Sequence, residues 1–204
     1  MISAQFLLTA LVVVLAPGTG NVYVLAMGLG RGRRAALAAS VGCTLGIVPA
    51  LLAAMAGLAA VLHTSALLFN ALKWAGVLYL LWLAWGALRR TGSMSVRAER
   101  GGGSMLRVAW RGIVLNVLNP KLSLFFLALL PPFLSGDPAR ATAEMAALGG
   151  VFMAMTLVVF ALQGAFAGAF RTRVLASERA MLWLDRGIAA AFAAMAGRLA
   201  TERA

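Results

Sequence analysis

The chain has 204 residues, 62% of them hydrophobic, with a mean hydropathy of +0.92, a net charge of +12 and a pI of about 11.8. A water-soluble domain of this size cannot hide so much apolar surface, so the composition excludes one. The basic residues lie in short segments between apolar tracts and no aromatic-plus-basic stacking surface accompanies them, which argues against nucleic acid as a partner. The single cysteine, Cys43, excludes an intrachain disulfide and a multi-cysteine metal site.

The apolar tracts predict an all-α membrane protein of about six transmembrane helices. No charged residue occurs from Met1 to Gly30 or from Ala35 to Leu62, and each tract exceeds the roughly 20 residues that cross a bilayer. The first tract is uncharged at its start and too long for a secretory signal peptide, so we expect a retained span. The predicted spans are residues 3–29, 36–61, 66–88, 108–132, 142–169 and 180–199.

Arginines mark the connections that we expect on the cytoplasmic side. They follow the first, third and fifth predicted spans, as Arg31, Arg33 and Arg34, then Arg89, Arg90, Arg97, Arg100 and Arg107, then Arg171, Arg173 and Arg179. Positive charge is enriched in cytoplasmic loops, so both termini are predicted to lie outside. The predicted location is the inner (plasma) membrane of the cell.

The glycine-rich segment 91–107 is the predicted cytoplasmic linker between a first three-helix half, residues 1–90, and a second, residues 108–204. An odd number of spans per half means that the second half enters the membrane from the opposite side, which gives an inverted repeat. Small residues every four positions from Ala38 to Ala54 predict close helix packing. Such a stripe suits a homodimer as well as a monomer.

The first predicted span contains the segment Ala16 to Asn21, which is unfavourable for a continuous helix. Pro17 has no N–H and clashes with the preceding turn, while Gly18 and Gly20 weaken the helix further. We therefore expect helix 1 to be broken near the midplane of the bilayer. Broken backbone at that depth persists only against protein or a water-filled cavity.

The segment Asn116 to Lys121 predicts a break at the matching place of helix 4. Pro120 is expected to free the carbonyl of Asn116, and Asn116 and Asn119 are expected to share one helical face. The ammonium group of Lys121 at the bilayer centre costs at least ~2.5 kcal/mol and marks a pathway or a counter-ion. Proline kinks that only shape helix packing, together with a snorkelling lysine, are the alternative interpretation.

Two interrupted helices in matching places are typical of a transport site. Half-helix N-termini favour a carboxylate, and freed carbonyl groups favour an ammonium group, so a zwitterionic amino acid fits both. We predict that cargo binds between the two breaks and that Lys121 holds its carboxylate. The predicted substrate-binding residues are Pro17, Gly18, Thr19, Asn21, Asn116, Asn119, Pro120 and Lys121.

These segments resemble the lysine exporter and homoserine/threonine resistance (LysE/RhtB) family of amino-acid exporters. The resemblance covers nearly the whole chain and is carried by Ala16 to Asn21, Gly30 to Arg34, Tyr79 to Trp85 and Asn116 to Lys121, followed by Leu130 to Leu134. It implies an inner-membrane exporter of amino acids or close derivatives that is driven by the proton gradient. The family often has proline-glycine-proline where this chain has Pro17-Gly18-Thr19, so the effect of Thr19 on cargo choice is open.

Two alternatives to an amino-acid exporter remain, a metal-cation exporter of similar architecture and a membrane scaffold without transport. A metal exporter requires clustered His, Cys, Asp or Glu, but the chain has one His, one Cys and six acidic residues. An enzyme requires a catalytic pair that the sequence lacks, so we predict no enzymatic activity, no metal and no cofactor. The expected partners are an amino acid, membrane lipid and protons, and Lys121, Asp185 or water would carry the proton.

Overall fold

The computed structural model describes residues 2–62, 66–89, 98, 103–135, 137–170 and 177–201. Within these residues all regular elements are helical, which confirms the predicted all-α class. The helices are α1 Ala4–Leu15, α2 Thr19–Arg31, α3 Arg33–Leu45, α4 Val48–Leu62, α5 Ala66–Leu88, α6 Met105–Val117, α7 Pro120–Leu124, α8 Pro138–Ala165, α9 Ala167–Phe170 and α10 Glu178–Thr201. A π-helical segment, Phe125–Leu129, and a 3-10 turn, Pro131–Phe133, lie between α7 and α8.

Several helices are long and apolar enough to cross a membrane. In the described part of the chain these are Arg33–Gly57, Ala139–Ala165 and Glu178–Gly197, and α1 and α2 qualify together as a pair bent by 59°. The stretch Trp74–Leu88 of α5 is a shorter apolar helix. The chain is therefore a multi-pass membrane protein, and the count of six spans stays a prediction.

Side-chain caps account for several helix starts. Ser3 accepts a hydrogen bond from the N–H of Phe6 at the start of α1, and Ser104 accepts one from the N–H of Arg107 at the start of α6. These are the residue types that N-cap positions prefer. Helix α6 begins at Met105, so residues 105–107 at the end of the predicted linker are helical, and the division of the chain into two halves stays a prediction.

Some sequence predictions concern residues outside the described part of the chain. They are the arginines Arg90, Arg97, Arg100, Arg171 and Arg173 and most of the predicted linker, residues 91–97 and 99–102.

Glycine allows α3 and α6 to touch backbone to backbone. A Cβ atom on Gly42 would lie 2.0 Å from the carbonyl oxygen of Ala109, and one on Gly46 would lie 2.6 Å from that of Ile113. No side chain fits such gaps, so these glycines belong to the packing surface that the stripe of small residues predicts. From the other helix, a Cβ atom on Gly112 would lie 2.9 Å from the carbonyl oxygen of Ala39.

Each span of the predicted first half contacts its counterpart in the second. Helix α5 packs against α10, α3 packs against α8, and α2 packs against α6. An inverted repeat arranges spans about its axis in this way, although the repeat itself stays a prediction. The consequence for the site is that α2, α6 and α8 meet in the middle of the bundle.

An aromatic cluster lies beside that meeting point. The ring of Phe125 stacks on that of Phe152 with centroids 4.4 Å apart, and Phe126 meets Phe152 edge-on at 5.4 Å. All three side chains are almost completely buried. Pairs in these geometries add about 0.5–1.5 kcal/mol beyond the burial of their area, so the cluster holds the π-helical segment firmly against α8.

Candidate functional site

The chain leaves helical geometry between Leu15 and Thr19. The last helical hydrogen bond of α1 runs from the N–H of Ala16 to the carbonyl of Val12, and Gly18 is fully extended with φ −149° and ψ 179°. Pro17 cannot donate to the carbonyl of Val13, and helical geometry resumes only at Thr19, after the extended Gly18. As a result, the last carbonyl groups of α1 and the first N–H groups of α2 lie close to one another in the chain.

A second interruption separates α6 from α7. Asn119 is the N-cap of α7, its side chain accepts a hydrogen bond from the N–H of Lys121 at 3.1 Å, and Pro120 occupies the first helical position. Both residue types are favoured at these positions. The expectation that Pro120 leaves the carbonyl of Asn116 free is wrong, because the N–H of Asn119 bonds it at 3.1 Å in a tightened turn.

A small cavity lies where the two interruptions meet helix α8. Its volume is about 20 Å³, which is roughly the room that one water molecule needs, so the cavity is too small for an amino acid in this conformation. The lining residues come from α1, α2, the α6–α7 segment and α8, and are Val13, Val14, Gly18, Gly20, Asn21, Asn116, Asn119, Lys121, Leu122, Phe152, Thr156 and Phe160.

Five of the predicted substrate-binding residues line this cavity, namely Gly18, Asn21, Asn116, Asn119 and Lys121. Pro17 and Thr19 are not among the described lining residues. Pro17 is half-buried away from the wall and Thr19 is exposed at the start of α2, while the side chain of Pro120 is outside the described part of the chain. That these residues bind cargo stays a prediction.

Lys121 connects the two interruptions. Its ammonium group donates a hydrogen bond of 2.8 Å to the carbonyl oxygen of Ala16, just beyond the last turn of α1. Carbonyl groups at a helix C-terminus carry partial negative charge and stabilise a cation. In this conformation Lys121 does not snorkel towards a membrane interface, because its ammonium group is directed at the backbone of the other break.

Two buried asparagines satisfy carbonyl groups that the helix interruptions leave without their usual donors. The amide nitrogen of Asn21 donates to the carbonyl of Val14 at 3.1 Å and to Gln163 Oε1 at 3.2 Å. That of Asn116 donates to the carbonyl of Cys43 at 2.6 Å. Unpaired carbonyl groups are costly in a membrane interior, so both side chains stabilise the interrupted backbone as well as lining the cavity.

The Asn116 bond depends on the junction of α3 and α4. In a continuous helix the N–H of Ile47 would bond the carbonyl of Cys43, but here it bonds that of Thr44 at 3.0 Å. The side chain of Asn116 replaces the missing donor. A third interruption, which the sequence interpretation did not include, thereby determines how Asn116 is oriented.

The sequence interpretation also missed the contribution of α8. Phe152, Thr156 and Phe160 follow one another at intervals of four residues and all line the cavity. That spacing is visible in the sequence, but it is equally typical of a packing or lipid-facing surface. The hydroxyl of Thr156 donates to the carbonyl of Phe152 at 2.9 Å, so this face of α8 is mainly apolar.

Further hydrogen bonds join α2 to the start of α6. The hydroxyl of Tyr23 donates to the carbonyl of Val108 at 2.9 Å, and the guanidinium group of Arg31 donates to that of Gly103 at 2.5 Å. The end of α2 and the beginning of α6 are thus held together. These bonds lie on the side of the bundle where the first predicted cytoplasmic connection is found.

A bundle of apolar helices with a polar cavity at two helix interruptions defines a multi-pass membrane protein with an internal site. The model of the LysE type translocator family matches residues 11–203, and the chain belongs to this family. The resemblance inferred from the proline-glycine and asparagine-proline-lysine segments is therefore confirmed.

Curated relatives carry the names of efflux proteins. The chain is 30% identical to a leucine efflux protein of Enterobacter sp. (strain 638), over 96% of this chain and 93% of the relative. It is also 30% identical to a homoserine/homoserine lactone efflux protein of Salmonella typhimurium, over 76% of this chain and 74% of the relative. No solved structure matches the chain.

Proposed function

We propose that this protein is a secondary transporter that exports amino acids or close derivatives from the cytoplasm across the inner membrane. Membership of the translocator family and the names of the curated relatives support an amino-acid exporter. The observation that carries the proposal is the ammonium group of Lys121, which lies in a cavity between two helix interruptions. Transport sites of this kind hold charged groups with helix ends.

The cargo carboxylate would bind at Lys121 and at the start of α2. The N–H groups of Gly20 and Asn21 belong to the first turn of α2 and have no partner within that helix, and the N-cap Gly18 has no side chain to satisfy them. A carboxylate is a stronger acceptor for an ammonium group than a carbonyl is, so Lys121 would exchange the Ala16 carbonyl for the cargo.

The cargo ammonium group would bind at the end of α1. The carbonyl of Val13 cannot receive the usual helical hydrogen bond because Pro17 has no N–H, and the carbonyl of Ala16 becomes available when Lys121 turns to the cargo. Partial negative charge at a helix C-terminus favours a cation there. When cargo binds, Lys121 would thus release the carbonyl of Ala16, so occupancy of the site would break this contact between the two interruptions.

Access would alternate by rocking of the two halves about the cavity, which is too small for an amino acid in this conformation. We propose that both termini lie outside the cell. The hydrogen bond from Arg31 to Gly103 supports this orientation, because it brings the first arginine-rich connection next to the end of the predicted linker. Arginine-rich connections are characteristic of the cytoplasmic side.

The proton gradient would drive export, with Lys121, Asp185 or water as the proton carrier. Asp185 lies on α10 and is buried, with 3% of its surface exposed. Buried acidic groups in membrane helices commonly belong to proton relays. Replacement by asparagine tests this: Asp185→Asn is expected to abolish the stimulation of efflux by a pH gradient and to retain passive exchange of cargo.

The function is tested with purified protein in lipid vesicles that are loaded with a mixture of the common amino acids. We expect selective release of a few of them when a pH gradient is imposed, and loss of the stimulation when an uncoupler is added. Empty vesicles provide the control for leakage. Equal release with and without folded protein, or transport of a divalent metal ion instead, would refute the proposal.

A further inference from the structure

The cavity wall combines a polar part and an apolar part. The polar side chains belong to the two helix interruptions, where Lys121, Asn116 and Asn21 lie. The apolar part includes Phe152 and Phe160 of α8. An amino acid also has a charged main-chain end and a side chain, and the polar part of the wall already has the groups that the main-chain end requires. The apolar face of α8 is left for the cargo side chain.

Charge limits which side chain that face can receive. Among the lining residues that the structure describes, Lys121 is the one with a charged side chain. A lysine or arginine cargo would bring a second cation into the cavity that this ammonium group lines, with no carboxylate among the described lining residues to oppose it. Burying an unpaired charge in an apolar site is strongly unfavourable. An acidic side chain would meet the same apolar face.

Size is limited at Gly20. A Cβ atom at this position would lie 3.0 Å from Phe160 Cε2 and 3.0 Å from Asn116 Oδ1, which is closer than ordinary contact. Because Gly20 has no side chain, there is room between the polar and apolar parts of the wall that a methyl group would occupy. By contrast, a Cβ atom on Gly86 of α5 would have no described neighbour within 4 Å.

We infer that the site selects amino acids with a neutral, apolar side chain and excludes basic ones, and that Gly20 and Phe160 limit the size of the side chain. This inference rests on the proposed export of amino acids. It adds the side-chain class of the cargo, which the family as a whole does not specify. The residues that determine it lie on α2 and α8.

The inference is tested by exchange in vesicles that are loaded with unlabelled leucine and supplied with labelled leucine, alanine, lysine or glutamate from outside. We expect labelled leucine to enter at least about ten times faster than lysine or glutamate, because burying a charged side chain without a partner in an apolar pocket is costly. Gly20→Ala is expected to lower the ratio of leucine to alanine exchange by about tenfold, the effect of one methylene group in such a pocket.

Two further variants separate the size limit from folding. Phe160→Leu keeps an apolar side chain and is expected to admit phenylalanine, which the original site exchanges slowly. Gly86→Ala adds the same methyl group as Gly20→Ala outside the cavity and is expected to leave the leucine-to-alanine ratio within about twofold. Monodisperse elution in detergent establishes that each variant is folded.

The outcomes distinguish this inference from the proposed function. Exchange of lysine as fast as leucine would overturn the side-chain selection and leave amino-acid export intact. An equal decrease of leucine and alanine exchange in Gly20→Ala would overturn the size limit. Exchange of none of the tested amino acids by folded protein would refute both the inference and the export function.

Discussion

The ammonium group of Lys121 donates a hydrogen bond of 2.8 Å to the carbonyl oxygen of Ala16, a residue 105 positions earlier in the chain. Each residue belongs to a helix interruption, so the bond brings the two interruptions together in one site. The carbonyl lies just past the C-terminus of α1, where partial negative charge compensates part of the cost of an ammonium group inside an apolar bundle. The same bond must change when an anionic group enters the cavity.

Lys121→Ala removes that ammonium group and is expected to lower transport at least about tenfold at limiting cargo. The reason is the loss of a charge-assisted hydrogen bond, worth about 1.5–3 kcal/mol, to the cargo carboxylate. Initial rates measured over a range of cargo concentrations would detect the effect. Arg34→Ala removes an exposed positive charge at the start of α3 and serves as the matched control. Unchanged rate and cargo preference in folded Lys121→Ala would rule out the proposed role.

Asn116→Leu is expected to destabilise the protein by about 1–3 kcal/mol. The substitution leaves the carbonyl of Cys43 without the donor that replaces Ile47, in a position that is buried from both lipid and water. Thermal unfolding in detergent measures the change. Val117→Ala, at the exposed neighbouring position of α6, is the control and should shift stability by less than about 0.5 kcal/mol. Equal stability of the two variants would contradict the role of this hydrogen bond.

Gly42→Ala is expected to separate α3 from α6, because its Cβ atom would lie 2.0 Å from the carbonyl oxygen of Ala109. Forcing a methyl group between two backbones costs roughly 1–3 kcal/mol or more. The melting temperature in detergent should fall clearly below that of Gly86→Ala, which adds a methyl group on α5 where nothing described lies within 4 Å. Similar melting temperatures would show that α3 and α6 are not in backbone contact.

Thr19→Pro tests the departure from the proline-glycine-proline pattern of the family. Thr19 is the first residue of α2 and is exposed, and proline is favoured at a first helical position because its missing N–H has no partner there. The variant should be as stable as the original or more stable by up to about 1 kcal/mol. Its cargo preference should be unchanged, since the side chain is not on the cavity wall. A changed cargo preference in the exchange assay would instead show that Thr19 contributes to the binding site.

The main structural features could be inferred from the chain itself because they follow from covalent chemistry. Apolar tracts that are long enough to cross a bilayer leave little alternative to helices, and Pro17 lacks an N–H in every conformation. The positions of Asn119 and Pro120 at the start of α7 follow from local preferences as well. Predictions of this kind need only a few neighbouring residues.

The exposed position of Thr19 and the contribution of α8 could not be inferred in this way. A threonine beside a glycine can point into a cavity or away from it, and the direction depends on the 59° bend between α1 and α2. Phe152 and Phe160 form a regular apolar face whose partner is another part of the bundle. Side-chain spacing specifies the face of a helix and not what that face contacts.

The sequence by itself determined the membrane class, the helical composition, the family resemblance and the two interruptions at Pro17 and Pro120. Only the tertiary structure decided that Lys121 meets Ala16, that Asn116 meets Cys43 and that α8 forms the apolar wall. Helix formation and interruption depend on backbone groups within about four residues, whereas the partner of a released carbonyl group is whichever donor the packing of distant helices brings within about 3 Å. For this protein, that packing depends on glycines that let α3 and α6 approach each other closely.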